Sequence, residues 1–267
     1  MASTSILANY HTHTPLCNHA EGSPETYIQT ALRCGYQVLG FADHTPWRYK
    51  NPDFVSRIRM TPDLLELYVS SLRQLGQKYA GQLHLHIGLE AEYFPDYMGW
   101  LLEEKERLGI EYLIFGCHYD RTDEGGLYFG RSAGAGDFKR YTDLAIAGME
   151  TGAYCCLAHP DLFLNNYPAF DADARAASRA ICEAATQLDI PLEYNMAGPT
   201  RRNLAAGRLG YTTPEFWQVA AEYPVKVILG CDAHRPAELN QVAGMARCRE
   251  KLRQMGLTVL DTLPGLE

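Results

Sequence analysis

The chain lacks the features that mark several special classes of protein. Its 267 residues contain no Cys-x-x-Cys pair, and its eight cysteines follow no spacing of a disulfide scaffold or a closed structural zinc site. Lys and Arg number 24 against 32 Asp and Glu, so the net charge of −8 argues against binding to nucleic acid or to an anionic membrane surface. No apolar run approaches the about 20 residues of a membrane span, and no signal peptide is recognisable. We expect a cytoplasmic protein with reduced cysteines.

The composition that remains is that of an ordinary globular protein. Hydrophobic residues make up 46% and charged residues 21% of the chain. A chain of this length buries about 70–75% of the surface that it exposes when unfolded, which suffices for a large core. No Gly/Ser-rich linker or low-complexity tract divides the sequence, so residues 1–267 are predicted to form one domain.

Seven short apolar runs, rich in β-branched or aromatic residues, predict strands that are buried on both faces of a parallel sheet. Segments of helical periodicity lie between them, and Ser23-Pro24 and Thr61-Pro62 are typical helix starts. The predicted strands are Ile6–His11, Val38–His44, Leu83–Glu90, Tyr112–His118, Tyr154–His159, Leu192–Asn195 and Lys226–His234. The predicted helices run from Pro24 to about Cys34, from Pro62 through Leu75, and over about 97–108, 136–152, 172–188, 213–222 and 237–255.

The spacing of the strands predicts the fold class. Most gaps between successive strand ends have room for one helix and two loops, as in repeated βα units. Seven such units indicate an α/β protein with a distorted (βα)7 barrel similar to a TIM barrel. An open doubly wound sheet is the alternative. The run Leu257–Leu260 is a further strand candidate without a predicted position.

Histidines concentrate at one predicted edge of this sheet. Seven of the nine lie at or just beyond the C-terminal end of a strand, where parallel α/β proteins build their sites, and two carboxylates join them. Two pairs are spaced i, i+2, which places both side chains of a pair on one face of an extended strand. The residues are His11, His13, His19, His44, Glu90, His118, His159, Asp232 and His234.

Imidazole grouped with carboxylate indicates a metal centre. A single histidine is more often a hydrogen-bonded structural residue, but nine such groups at one edge are difficult to explain without a cation. This donor set suits Zn, Fe, Mn or Co, and nine residues are enough for two or three ions. The other two histidines, His84 and His86, precede their strand end and are predicted to be structural.

Six short strings lie at the predicted strand ends: Tyr10-His-Thr-His13, Gly40-Phe-Ala-Asp-His-Thr-Pro46, Gly88-Leu-Glu90, Gly116-Cys-His118, Ala158-His-Pro-Asp161 and Gly230-Cys-Asp-Ala-His234. Together they resemble the polymerase-and-histidinol-phosphatase (PHP) superfamily over nearly the whole chain. Three further strings are Arg59-Met-Thr-Pro, Gly-Leu-Glu-Ala-Glu-Tyr93 and Leu192-Glu-Tyr-Asn-Met-Ala-Gly198 with a following arginine. These resemble the histidinol-phosphatase branch of that superfamily.

The resemblance implies a trinuclear centre of divalent ions, Zn being the first choice and Mn or Fe the others. Strand geometry alone does not separate Glu90 from Glu92, because both lie on one face; the family's Gly-x-Glu string selects Glu90. The implied ligand sets are His11, His13, Glu90 and Asp232 for one ion, Glu90, His118 and His159 for a second, and His19, His44 and His234 for a third.

The implied activity is hydrolysis of L-histidinol phosphate to L-histidinol and phosphate in histidine biosynthesis, by attack of a metal-bound hydroxide on phosphorus. Asp43 and Asp161 are the candidate proton donors, with orientation of a ligand histidine as their alternative role. Arg201, Arg202 and Arg235 are candidate phosphate contacts. The expected partner is a small phosphorylated substrate, with no nucleic acid and no membrane.

Three other functions stay open at this point. The same centre would suit another phosphomonoester or a phosphodiester. An amidohydrolase also opens with His-x-His, but it would need a bridging lysine or acidic ligand where this chain has His118. A non-catalytic metal-binding module is the third. The two longest loops, 45–61 and 119–135, are expected to shape the substrate pocket.

Overall fold

The computed structural model describes residues 7–198 and 201–267, and strands and helices alternate along them. The strands are β1 (Ala8–Asn9), β2 (Val38–His44), β3 (His84–Ala91), β4 (Tyr112–Phe115), β5 (Cys156–Leu157), β6 (Leu192–Asn195), β7 (Lys226–Gly230) and β8 (Thr258–Val259). The helices are α1 (Pro24–Cys34), α2 (Leu65–Lys78), α3 (Pro95–Leu108), α4 (Ala135–Glu150), α5 (Ala172–Gln187), α6 (Arg201–Ala205), α7 (Pro214–Ala220) and α8 (Val242–Gln254).

The eight strands form one parallel sheet in sequential order from β1 to β8, curled into a distorted partial barrel. At the carboxyl rim, a parallel bridge between Thr12 and Ala233 joins the segments that follow β1 and β7. The unassigned run of the sequence forms β8, which pairs with β7 near its start, Lys226 opposite Thr258. The predicted fold class is confirmed, and β8 extends the seven predicted strands by one.

Local signals in the sequence account for the start and end of the helices. Ser23 caps α1 by accepting a hydrogen bond from the Thr26 N–H, and Pro24 occupies the first helical position. Gly35 ends the same helix with φ 81°, a left-handed conformation that favours glycine. Asp171 caps α5 by accepting from the Ala174 N–H. These caps fix where each helix begins and therefore how it packs on the sheet.

Apolar side chains fill both sides of the sheet. A large layer lies between the strands and the helices, and it includes Trp47, Trp217 and Phe115. A smaller cluster includes Tyr10, Tyr112 and Ile228 and is completed by Leu263 and Leu266 from the end of the chain. The Tyr112 hydroxyl donates to the backbone oxygen of Tyr10 at 2.6 Å, so the tyrosine ring is tied to the first strand.

The structure also bears on two other expectations. All eight cysteines are unpaired, and five of them are buried. Within residues 7–198 and 201–267, no helix combines the length and the apolar character needed to cross a membrane.

Candidate metal centre

Three of the predicted ligands meet at the carboxyl rim, where the segment after β1 pairs with the segment after β7. The His13 N–H donates to the Ala233 carbonyl at 2.9 Å, and the Ala233 N–H donates to the His11 carbonyl at 3.2 Å. This pairing brings the Nε2 atoms of His11 and His13 to 3.3 and 3.1 Å from Asp232 Oδ1. The two Nε2 atoms are 3.2 Å apart. Donors about 220 positions apart in sequence thus share one point in space.

Glu90, at the end of β3, lies at the centre of the predicted ligands and is 1% exposed. Its Oε1 lies 2.8 Å from His159 Nε2 and 3.2 Å from His118 Nε2. Its Oε2 lies 3.0 Å from His44 Nδ1, without hydrogen-bond geometry, and within 3.6 Å of both histidines that follow β1. One carboxylate therefore faces five imidazoles, as a bridging ligand requires.

The third group lies nearest to solvent. His19 Nε2 and His234 Nε2 are 2.9 Å apart, and one nitrogen of His44 completes a set of three donors within 4.8 Å of one another. Each of the first two rings already donates its Nδ1–H to a backbone carbonyl, of Cys17 at 2.7 Å and of Asp232 at 3.0 Å. Two neutral rings would consequently point lone pairs at each other, a repulsion that a cation between them removes.

Three other histidines are oriented by buried carboxylates in the same way. The Nδ1 atoms of these rings face an acceptor on the side away from the centre, which leaves Nε2 free to bind a metal ion. The pairs are His11 with Glu193 at 2.8 Å, His13 with Asp43 at 3.4 Å and His118 with Glu92 at 3.1 Å.

The donor set fits divalent ions. Sets of three donor atoms within 4.8 Å of one another are formed by His19, His44 and His234, by His11, His13 and Asp232, and by His11, Glu90 and His159. The first set equals the third predicted ligand set. The second lies wholly within the first predicted set, and the last shares Glu90 and His159 with the second predicted set. Imidazole nitrogen and carboxylate oxygen are the usual ligands of Zn, Fe and Mn in open catalytic sites.

The charges around the centre shift the titration of its members. Burial raises the pKa of Glu90, but the histidines around it outweigh burial and hold the pKa well below its usual range. Burial lowers the pKa of His11, but Glu193, Asp232 and Glu90 raise it well above its usual value. Burial, together with the neighbouring His13, lowers the pKa of His234 to about 4. The Glu90 carboxylate is therefore ionised at neutral pH, which favours a cation beside it.

The backbone at two candidate ligands is strained. His159 has φ 32° and Asp232 has φ 48°, in the left-handed region that non-glycine residues rarely adopt. Such a conformation costs about 1–3 kcal/mol and concentrates at functional sites. Each residue lies two positions past the end of a strand, His159 after β5 and Asp232 after β7. The turn directs the His159 side chain towards Glu90 and the Asp232 side chain towards the histidines after β1.

The sequence analysis missed the role of Glu193, which is 2% exposed on β6. Its Oε1 accepts from His11 Nδ1, and its Oε2 accepts from the His159 N–H at 3.1 Å and from Asn195 Nδ2 at 3.0 Å. The string from Leu192 to Gly198 identified the branch and could have suggested this role, because a carboxylate inside a buried strand needs partners. In the structure, two of these partners belong to the candidate ligands His11 and His159.

The two candidate proton donors lie behind the ligands. Asp43 is fully buried on β2, where its Oδ2 accepts from the Thr14 N–H and hydroxyl while Oδ1 faces His13. Asp161 is 1% exposed and its Oδ2 accepts from the Thr213 N–H at 3.0 Å. Burial raises the pKa of Asp161 to about 7.

The candidate phosphate-binding arginines differ in position. Arg201 and Arg202 are exposed at the start of α6. Arg202 lines a depression that shares Tyr128 with the main cavity. Arg235 is paired with Glu21 at 3.4 Å and lies 3.9 Å from Glu238. Of the three, Arg202 is the one that lines a depression bordering the cavity, at Tyr128.

The remaining histidines lie elsewhere. His84 and His86 are at the amino end of β3, the end opposite to Glu90. His86 Nδ1 lies 2.6 Å from Glu111 Oε2. Their predicted structural role agrees with this position.

A cavity of about 230 Å³ opens over the candidate ligands. One side of it is polar and is formed by six of the predicted ligands, His19, His44, Glu90, His118, Asp232 and His234. The other side is built by Ile58 from loop 45–61, by Tyr119 and Tyr128 from loop 119–135, and by Tyr211. Tyr211 stacks on His159 with ring centroids 5.2 Å apart. The two longest loops therefore do line the cavity.

Comparison with known proteins agrees with this arrangement. Residues 9–197 match the model of the PHP domain, which is well over half of the chain. The chain belongs to the PHP family. Its β7, β8 and the residues Asp232 and His234 lie beyond the matched segment and complete the same sheet and rim.

Relatives of this PHP protein include named phosphatases. The "Probable histidinol-phosphatase" of Deinococcus radiodurans is 30% identical over 240 residues, which covers 87% of this chain and 88% of that protein. The "Histidinol-phosphatase" of Bacillus subtilis is 30% identical over 42% of this chain and 44% of that protein. The histidinol phosphate phosphatase of Lactococcus lactis, solved with Zn, L-histidinol and phosphate, superposes with TM-score 0.70 at 16% identity, covering 98% of both chains.

Proposed function

We propose that this PHP protein is a histidinol-phosphatase that hydrolyses L-histidinol phosphate to L-histidinol and phosphate. The observation that carries the proposal is the Deinococcus relative, which is 30% identical across 87% of the chain. The donor groups around Glu90 and the cavity above them support it, since a phosphate dianion needs a cationic site in a chain whose net charge is −8. We further propose that residues 1–267 form one domain and that the protein is cytoplasmic.

Three divalent ions are part of the proposal, with Zn the first choice and Mn or Fe the others. Bound there, they would stabilise charge on the phosphoryl oxygens and supply a water nucleophile at neutral pH. The proposed ligands are those of the sequence analysis, with Glu90 shared between two ions. Three dications against two carboxylates leave a charge of about +4, which favours a dianionic phosphate ester.

The chain's own residues would bind and orient the substrate. The phosphate would lie on the polar side of the cavity, and the imidazole-bearing alcohol would lie against Tyr119, Tyr128 and Tyr211 on the other. Arg202 is our candidate for an additional phosphate contact, ahead of Arg201 and Arg235. Aromatic stacking would favour histidinol phosphate over aliphatic phosphate esters.

We assign Asp43 the role of orienting His13, which its contacts support. Asp161 stays a predicted proton donor. Replacing it by Asn tests this: a proton donor is needed for kcat, whereas a purely structural carboxylate affects stability and leaves kcat near the wild-type value.

The test of the proposed function is phosphate release from a panel of esters. The panel contains L-histidinol phosphate, an aliphatic phosphomonoester and an aryl phosphodiester, assayed with elemental analysis of the purified protein. We expect the highest kcat/KM with L-histidinol phosphate, loss of turnover on chelation and its return with Zn or Mn. A higher kcat/KM with the phosphodiester would favour the alternative phosphoesterase, and turnover in metal-free protein would contradict the metal-dependent mechanism.

A further inference from the structure

Arg59 is an unusual residue to find in the interior of a protein. It is 1% exposed and belongs to loop 45–61, which contributes Ile58 to the lining of the cavity. Its guanidinium forms two parallel hydrogen bonds with Glu92, 2.8 Å from Nη2 to Oε1 and 3.0 Å from Nη1 to Oε2. Burying an ion pair contributes little net stability, because desolvation offsets the attraction, so its value here must lie in geometry.

Glu92 carries that geometry to the metal centre. Its Oε1 lies 3.1 Å from His118 Nδ1, while Glu90 Oε1 lies 3.2 Å from Nε2 of the same ring. The Trp47 Nε1–H donates to Glu92 Oε2 at 3.0 Å, so all acceptor positions of the Glu92 carboxylate are used. The carboxylate has a single position, and the His118 ring is held between Glu90 on β3 and Glu92 just beyond the end of that strand.

The same arginine also joins the two cavity loops. Arg59 Nε lies 3.4 Å from Asp123 Oδ1, and its Nη1 donates to the Thr45 carbonyl at 2.9 Å. Asp123 accepts in addition from the hydroxyls of Tyr49 and Ser56, both at 2.6 Å. Loop 45–61 and the loop that bears Tyr119 and Tyr128 are thereby fastened to each other next to Ile58.

We propose that Arg59 is a positioning residue with two arms: through Glu92 it fixes the His118 ring for metal binding, and through Asp123 it fixes the aromatic wall of the cavity. The two strings that indicated the branch, Arg59-Met-Thr-Pro and Gly-Leu-Glu-Ala-Glu, meet in this pair. The second arm rests on the proposed function, since it concerns the substrate; the first arm concerns metal binding alone.

The first arm is tested by metal affinity. Glu92→Gln keeps the size of the side chain but removes its charge, and we expect the affinity for one Zn²⁺ per chain to fall about 10–100-fold. Affinity is measured by competition with a chromophoric chelator, and ions per chain by elemental analysis. Unchanged affinity for every ion would overturn this arm.

The matched control is Glu111→Gln. Glu111 pairs with His86 at 2.6 Å at the other end of β3, so the variant breaks a carboxylate–imidazole pair of the same kind outside the centre. We expect its metal affinity to equal that of the wild type. An equal loss in this control would mean that Glu92 acts only through the stability of the strand.

A second variant guards against misfolding. Glu92→Gln leaves Arg59 buried with a weakened partner, which can unfold a protein, whereas replacing a whole buried pair by apolar residues is often neutral. Arg59→Met/Glu92→Met should therefore fold, as circular dichroism and thermal unfolding would verify, and still bind one ion about 10–100-fold more weakly. Wild-type affinity in this folded double variant would overturn the first arm.

The second arm is tested by kinetics. Asp123→Asn loosens the loops without touching Glu92, so we expect KM for L-histidinol phosphate to rise about 10-fold while metal affinity stays at the wild-type value. An unchanged KM would overturn this arm. A wild-type protein that binds metal but hydrolyses no histidinol phosphate would contradict the proposed function and leave the metal-affinity result of Glu92→Gln to be judged by itself.

Discussion

At the scale of single residues, five of the seven candidate ligand rings have an Nδ1 that faces an acceptor, which leaves Nε2 for a metal ion. His13 illustrates this, since Asp43 faces its Nδ1 and its Nε2 lies 3.1 Å from Asp232 Oδ1. Orientation of this kind has to be built before a metal ion arrives, because the ring cannot turn once it is buried.

Removing the side chain of His13 or of Asp232 should abolish turnover. We expect His13→Ala or Asp232→Ala to lower kcat/KM for histidinol phosphate by at least about 10²-fold, because each is a proposed ligand of the same ion. Phosphate release measures the effect, and circular dichroism checks the fold. His84→Ala, at the exposed end of β3, is the control. Wild-type activity in either ligand variant would refute the assignment.

Proton release on metal binding is a second expectation at this scale. Burial lowers the pKa of His118, but Glu90 and Glu92 outweigh burial and raise it to about 9. Below that pH the metal-free ring carries a proton that an ion must displace, so metal affinity rises with pH up to about 9 and then levels off. Calorimetry in buffers of different ionisation enthalpy measures the released protons. Affinity that is independent of pH below about 9 would contradict this.

The sequence predicts the nine candidate ligands but not the groups behind them. Parity and spacing assign histidines and carboxylates at predicted strand ends to one edge, and the family resemblance is needed to select Glu90 over Glu92. The roles of Glu92 and Glu193 could not be predicted in this way. Each role depends on which histidine ring the carboxylate faces across neighbouring strands, and that depends on strand register. Strand register is a property of the assembled sheet.

At the scale of elements, a glycine on β7 leaves room for a carboxylate on β6. Gly230 pairs with Asn195, and a Cβ at Gly230 would overlap the Glu193 carboxylate that orients His11. A side chain at this position is therefore incompatible with the observed place of Glu193.

Gly230→Ala should consequently destabilise the protein by about 1–3 kcal/mol, because the strand must absorb an extra methyl group. Metal affinity should fall in the same variant as Glu193 moves. Gly99→Ala is the control: Gly99 lies inside α3 with open space around it, so alanine should stabilise the helix by about 0.5–1 kcal/mol. Chemical denaturation measures both, and equal effects of the two would contradict the argument.

The predicted strand bounds agree best with the structure where every residue of the apolar run is paired in the sheet. Val38–His44 and Leu192–Asn195 are strands with the predicted bounds. The predicted strand Tyr154–His159 is reduced to Cys156–Leu157, because the chain leaves the sheet ladder to turn His159 inward with a positive φ. Helix α6, of five residues, had no periodicity to indicate it. Strand length is thus overestimated from the sequence pattern where the chain turns a candidate ligand inward at the rim.

At the scale of the whole molecule, the centre and the opposite end of the barrel can be perturbed separately. Leu263 is fully buried in the cluster formed with Tyr10 and Ile228, and the candidate ligands lie at the carboxyl rim. Stability and chemistry are therefore assigned to different ends of the same strands.

Leu263→Ala should lower the free energy of unfolding by about 2–5 kcal/mol, the range for a buried leucine replaced by alanine. Urea denaturation measures the loss, and metal affinity at low temperature should stay that of the wild type. Leu67→Ala is the control, since Leu67 is 58% exposed. A loss of metal affinity in Leu263→Ala would show that the two ends are coupled.

The bridge between Thr12 and Ala233 has a consequence for biosynthesis. The donors that follow β1 leave the ribosome early, but their partners Asp232 and His234 emerge only about 220 residues later. Contacts so distant in sequence form late in folding. Until then the nascent chain displays histidines without their carboxylate partner, so the cell must deliver the metal after translation or tolerate ions bound to an unfinished site.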